Sequence, residues 1–183
     1  MPDKIGLVII AIVIIGAMLF GNKKVRVISI LMKQLHVFKN AKTNKTSIWD
    51  IICFIVLPIA LAVLIVLGLK CVINNSLAGV LTTVFAFVFT VLFGFAAILV
   101  GRIDSKNEIE KQVVEETIVS IMTSNVLSLT SVILSIAIII TNNEIAGLVL
   151  SIFVYSFSFM IVMLLLMISK RTFSIYCKKR LES

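Results

Sequence analysis

Residues 117–140, TIVSIMTSNVLSLTSVILSIAIII, decide the class of this protein, because these 24 residues include no charged side chain. A helix rises about 1.5 Å per residue, and roughly 20 apolar residues cross a bilayer. The chain contains further apolar runs at residues 5–20, 48–69, 77–101 and 145–168. The pattern predicts an all-α integral membrane protein with five transmembrane helices, the fourth of which covers 118–140.

The composition agrees with this class. The chain has 183 residues, of which 60% are hydrophobic and 14% are charged, and its mean hydropathy is +1.17. Soluble domains carry about 25% charged residues. Because little chain lies outside the apolar runs, residues 1–183 are predicted to form one membrane domain.

The first span is the weakest of the five. Its 16 residues reach roughly 24 Å as a helix, which is less than the hydrocarbon thickness of about 30 Å. A signal peptide is disfavoured because the positive charge follows the apolar run instead of preceding it. A retained anchor is predicted, with a re-entrant or interfacial segment as the alternative.

The loop charges predict the orientation. With five spans, fifteen Lys and Arg residues lie on one side, in 21–47, 102–116 and 169–183, and two lie on the other. The positive-inside rule then predicts an outside N-terminus and a cytoplasmic C-terminus. The abundance of Ile, Asn and Lys suggests an AT-rich bacterial gene, so the expected location is a bacterial inner membrane. The net charge of +8 is attributed to contact with anionic lipid, so no nucleic-acid partner is predicted.

A line of hydroxyl residues runs along the fourth span and is called the hydroxyl line. Its members recur at steps of three and four and fall within an arc of about 80°. They are the candidate pore-lining residues Thr117, Ser120, Ser124, Ser128, Ser131 and Ser135. In one interpretation they face a water-filled path between symmetry copies of the chain. In the other they are small residues that pack against a neighbouring helix.

The fourth helix is predicted to extend beyond the membrane. The capping-box pattern at 105–108 predicts a helix over 105–140, about 50 Å long. Its first turns carry the candidate acidic rim of a pore, Glu110 and Glu116, which would favour cations. This stub is also a candidate docking point for a cytoplasmic protein partner.

The third span has a line of small residues along one helix face, called the small-residue line. Small residues let helix backbones approach closely in lipid, so the line predicts helix packing. Its members are Gly79, Thr83, Ala86, Thr90, Gly94, Ala97 and Gly101.

Two further features concern the first half of the chain. Within the basic linker 21–47, residues 26–40 predict an amphipathic helix whose apolar side carries Val27, Leu31, Leu35 and Phe38. That helix either lies on the inner leaflet or continues the first span and packs on its neighbours. Pro58 lies within the second span, where it predicts a kink and is a hinge candidate.

Catalytic signatures are missing from the sequence. No charged residue or histidine lies deep in a span, no HExxH, GxSxG or glycine-rich phosphate motif occurs, and His36 lacks metal-ligand neighbours. The sequence therefore predicts no enzyme, no cofactor and no metal site.

In size, span number and the polar-striped helix with a cytoplasmic extension, the chain resembles the small multi-span membrane effectors of bacterial anti-phage defence, such as those of Hailong-type systems. The resemblance implies a membrane protein whose opening is controlled by a cytoplasmic partner. We therefore expect a homo-oligomeric pore-type effector. A non-conducting scaffold or immunity subunit is the alternative, and a small-solute transporter fits less well because intramembrane charge is lacking.

Overall fold

The computed structural model describes residues 27–37, 48–101, 108–141 and 143–181. These residues form helices and connecting turns, with no strand among them. The helices are α1 (Val27–Val37), α2 (Ile48–Gly68), α3 (Asn75–Val100), α4 (Glu108–Ile140) and α5 (Glu144–Leu181).

Four helices are long and apolar enough to cross a membrane. The apolar parts are Ile48–Gly68, Asn75–Val100, Lys111–Ile140 and Glu144–Phe173. The predictions of an all-helical architecture and of membrane-spanning helices are confirmed for these four. The predicted first span, 5–20, lies outside the described residues, so the total of five spans stays a prediction.

Helix α2 changes its hydrogen-bonding pattern along its length. It contains α-helical segments, Ile48–Ile51 and Leu57–Val63, and π-helical segments, Ile52–Val56 and Leu64–Gly68. Pro58 is buried at the start of the second α-helical segment. Since proline has no backbone N–H, the regular pattern fails around it and the wider π turn takes its place.

Short turns join the next helices. Between α2 and α3, Lys70 adopts a positive φ of 56°, and the Asn74 side chain caps α3 by accepting a 2.8 Å bond from the Leu77 N–H. In the same connection, the Ile73 N–H donates to Ser151 Oγ at 3.1 Å, which attaches the turn to α5.

Helix α4 occupies the centre of the bundle. It packs against α3 on one side and α5 on another, and α1 packs on it as well, while α2 packs against α5. Two apolar clusters hold these helices together. The first joins Phe85 of α3, Ile138 of α4 and Val154 of α5, and the second joins Leu92 of α3 with Ile121 of α4.

The interface between α3 and α4 follows a heptad pattern on both helices. Alternating steps of three and four residues are typical of left-handed pairs with interlocking side chains. On α3 this seam is Ala78, Leu81, Phe85, Val88, Leu92, Phe95 and Leu99. On α4 the buried residues at the same spacing, called the α4 seam, are Val114, Thr117, Ile121, Ser124, Ser128, Ser131, Ser135 and Ile138. Most of the hydroxyl line therefore belongs to a packed seam.

Helix α1 is buried on the side of Val27 and Leu31, as its apolar residues predict, and Gln34 lies on that same side. Gln34 and Val27 are its buried residues, whereas Leu35 is exposed. Helix α1 packs on α4, so this burial comes from contact with a neighbouring helix.

Candidate functional site

All six residues of the hydroxyl line are completely buried within the single chain. Their apolar neighbours in the α4 seam, Ile121 and Ile138, each belong to a cluster that includes residues of both α3 and α5. The line accordingly faces the crevice between these two helices. In this conformation it does not border an opening to solvent.

Four of these hydroxyls bond to their own helix. Each donates to the carbonyl four residues earlier, at 2.7–3.0 Å, and these donors are Thr117, Ser120, Ser124 and Ser131. Such bonds satisfy a hydroxyl without a partner on another helix. These four residues therefore behave as small packing residues in the present conformation.

Other polar groups of the same helix are buried without any hydrogen-bond partner. They are the hydroxyl oxygens of Ser128 and Ser135 and both amide atoms of Asn125. Leaving a buried hydroxyl or amide unpaired costs about 1–3 kcal/mol in proteins. Alanine would fill the serine positions without that cost. Close packing alone therefore does not explain why polar side chains occupy these buried positions.

An ion pair closes one end of the α4–α5 hairpin. Arg171 Nη2 lies 3.1 Å from Glu116 Oε2, and the two side chains are 21% and 30% exposed, respectively. Gln112 Nε2 donates to Glu116 Oε1 at 3.0 Å. This group of residues is called the charged end. The carboxylate predicted as part of an open acidic rim is thus paired with a cation from α5.

The two rim candidates therefore differ in status. Glu116 belongs to the charged end, whereas the side chain of Glu110 lies outside the described residues. Sequence reasoning missed Arg171, which it assigned to the basic tail 169–183. A signal was available, because in an antiparallel hairpin joined near residues 141–144 the positions 116 and 171 are equally far from the connection.

The small-residue line lies on the outside of the chain. It is rotated by about 170° around α3 from the seam that contacts α4. Gly79 is half-buried, and the other six members are exposed. A Cβ atom built on Gly79 or Gly94 meets nothing within 4 Å. The α3–α4 interface does not use this line, so its role in helix packing stays a prediction.

Two features stay without a test of their predicted role. The π turns before and after the segment Leu57–Val63 give α2 an irregular backbone, but hinge motion at Pro58 stays a prediction. Among the described residues, no group of three His, Cys, Asp or Glu side chains is placed to hold a metal ion.

No family model, curated protein or solved structure matches this chain.

Proposed function

We propose that this chain is a subunit of an oligomeric membrane channel that acts as an effector, and that the conformation described above is its closed state. The observation that carries the proposal is the set of unpaired polar atoms on α4, at Asn125, Ser128 and Ser135. In a low-dielectric interior these atoms gain free energy from hydration. A state in which α3 or α5 moves away from the hydroxyl line would supply that water.

In this proposal the charged end stabilises the closed state. The Glu116–Arg171 pair holds the start of α4 against α5, and the partial burial of both groups strengthens their attraction relative to a fully exposed pair. A cytoplasmic protein that binds the acidic start of α4 would compete with Arg171 for Glu116. Binding of that partner would thereby release the hairpin and open the channel.

The small-residue line supports the oligomer. Its exposed face allows a helix of a second copy to approach the α3 backbone closely, which favours association in lipid. In this arrangement the small-residue line of α3 forms the contact between subunits. The path for ions lies on the opposite side of α3, along the hydroxyl line of α4.

The cellular setting follows from the loop charges and from the architectural resemblance. We place the chain in a bacterial inner membrane, with its N-terminus outside and its C-terminus and the charged end in the cytoplasm. A role in anti-phage defence, with a cytoplasmic enzyme as the partner, is the setting that the resemblance to Hailong-type effectors implies.

The test is ion flux through the purified full-length protein in liposomes. Glu116→Gln removes the ion pair and is expected to raise cation flux well above that of the wild-type protein. Adding Ser128→Leu to Glu116→Gln should abolish that flux, because the leucine fills the path. The matched control is Ile136→Leu in the same background, since Ile136 is exposed on the other side of α4. A protein that stays monomeric, with no flux from any variant, refutes the proposal.

A non-conducting scaffold or immunity subunit is the second candidate. Its support is that four hydroxyls of the line bond to their own helix, as packing residues do. For a scaffold, Ser128→Leu would weaken the assembly or lower its yield, and no variant would conduct. Size-exclusion chromatography with light scattering, run beside the flux assay, separates the two functions.

A further inference from the structure

A half-open cavity of about 240 Å³ lies where α1, α2, α4 and α5 meet. Among the described residues, its lining is almost entirely apolar and contains no charged side chain. The lining residues are Leu31, Gln34, Leu35, Phe54, Ile55, Thr123, Leu127, Met160 and Leu164. The cavity is distinct from the hydroxyl line, none of whose residues borders it.

Gln34 is the unusual member of this lining. Its side chain is only 5% exposed, and neither the amide nitrogen nor the amide oxygen has a hydrogen-bond partner. Thr123, the other polar lining residue, already donates its hydroxyl hydrogen to the Val119 carbonyl at 2.9 Å. Gln34 thus presents one unused donor group and one unused acceptor at an apolar cavity.

The unpaired N–H group and the unpaired oxygen of the Gln34 amide determine which ligand groups can bond to both atoms. A hydroxyl or a protonated carboxyl group donates one hydrogen bond and accepts another, so it pairs with both atoms of Gln34. An ester carbonyl of a diacyl phospholipid only accepts, and it would leave the Gln34 oxygen unpaired. A charged headgroup would find no counter-charge among the lining residues and would be costly to bury.

The volume suits the rest of such a molecule. An engineered apolar protein cavity of about 150 Å³ is large enough to bind benzene. The present cavity is larger, and leucine, phenylalanine and methionine side chains surround it, which favours an alkyl chain.

We propose that this cavity binds a neutral single-chain amphiphile, with its hydroxyl or protonated carboxyl group on the Gln34 amide and its alkyl chain against Leu31, Leu127 and Leu164. The ligand contacts α1 as well as α4, so its binding stabilises the docking of α1. This site does not depend on whether the chain conducts ions.

The probe for the test is 3-azioctanol, a photoreactive eight-carbon alcohol, applied to the full-length protein in phosphatidylcholine vesicles. Mass spectrometry should locate the label in peptides that contain Gln34, Thr123 or Met160, and the labelling should saturate. An excess of 1-octanol should compete at concentrations about ten-fold lower than n-octane, because two hydrogen bonds of modest strength amount to about 1.4 kcal/mol. Non-saturating label spread over the lipid-facing surface, or equal competition by the two compounds, overturns the proposal.

Two variants localise the effect. Gln34→Leu should abolish the preference for 1-octanol over n-octane, and Leu127→Trp should fill the cavity and remove the saturable label. Met32→Leu is the matched control on α1, because Met32 is exposed and does not line the cavity. Retention of the octanol preference by a folded Gln34→Leu protein contradicts the assignment. If neither variant folds, the comparison of the two competitors on the wild-type protein decides the question alone.

Discussion

Replacing Ser128 by alanine is expected to stabilise the protein, although the residue lies at the centre of a packed seam. Ser128 is completely buried, and its hydroxyl has no hydrogen-bond partner. Burial of an unpaired hydroxyl costs about 1–3 kcal/mol, and a membrane-inserted unfolded state recovers part of this by finding other partners. We therefore expect Ser128→Ala to raise the free energy of unfolding by about 1 kcal/mol.

The matched control is Ser131→Ala, three residues further along the same seam. Ser131 is equally buried, but its hydroxyl donates to the Leu127 carbonyl at 2.9 Å. Since both substitutions remove the same oxygen atom from the same type of interface, their packing changes cancel in the comparison. Loss of the Ser131 bond should lower the free energy of unfolding by about 0.6 kcal/mol.

The two variants are compared with the wild-type protein by circular dichroism at 222 nm, in mixed micelles titrated with dodecyl sulfate. A thermal scan should place Ser128→Ala about 2–4 °C above the wild-type protein. If Ser128→Ala is less stable than Ser131→Ala, the Ser128 hydroxyl is paired in the folded state, and the reasoning from unpaired groups fails. Equal stabilities of the two variants would refute it in the same way.

Three further predictions concern other parts of the bundle. Glu116→Gln and Arg171→Gln should each lower the free energy of unfolding by about 1 kcal/mol, whereas the double exchange Glu116→Arg with Arg171→Glu should recover most of the loss in the same titration. Failure of the exchange to recover stability would show that the ion pair is not the cause. Ile121→Ala should cost about 2–5 kcal/mol because Ile121 is fully buried, while Ile136→Ala, at an exposed position, should change stability little, and equal losses would contradict the described packing. Cys71 is exposed in the turn before α3, and a membrane-impermeant maleimide should label it from the outer side of intact cells; labelling only after permeabilisation would reverse the predicted orientation.

Hydropathy predicted the spanning helices well because each is long, apolar and nearly free of charge. The predicted runs 48–69 and 77–101 correspond closely to Ile48–Gly68 and Asn75–Val100. Helix α5 continues to Leu181, well beyond the run at 145–168. Its last turns are basic, so an apolar run marks where lipid contact ends and not where helical hydrogen bonding ends.

Helical spacing also identified the hydroxyl line, but not what it faces. A spacing of three and four residues states which side chains share a face of a helix, and water or a neighbouring helix would select the same spacing. The seam of α4 makes this plain, because Ser124 and Ile121 occupy equivalent positions in the same buried stripe. Only the placement of α3 and α5 shows that the line is covered.

The small-residue line shows that spacing alone also does not identify which side of a helix packs within the chain. Sequence reasoning chose the glycine side of α3 for packing, whereas the described bundle packs the side with Ala78, Phe85 and Leu92. The residues of both sides recur at steps of three and four, and nearly every residue of α3 is apolar. Hydropathy therefore does not indicate which of the two sides packs against another helix. Gln34 was missed for a similar reason. A glutamine on a basic linker is expected to be exposed to solvent, and its burial becomes evident only from the contact of α1 with α4.

The direction of the serine hydroxyl bonds affects how α4 is able to move. Because these hydroxyls bond within α4, the described residues of the hydroxyl line form no hydrogen bond to α3 or α5. The hydroxyl line therefore contributes small side chains, but no directional bond, to the contact with α3 and α5. Separation of α3 or α5 from the line would break no hydrogen bond made by these hydroxyls, whereas separation of α4 from α5 at its far end would have to break the Glu116–Arg171 pair.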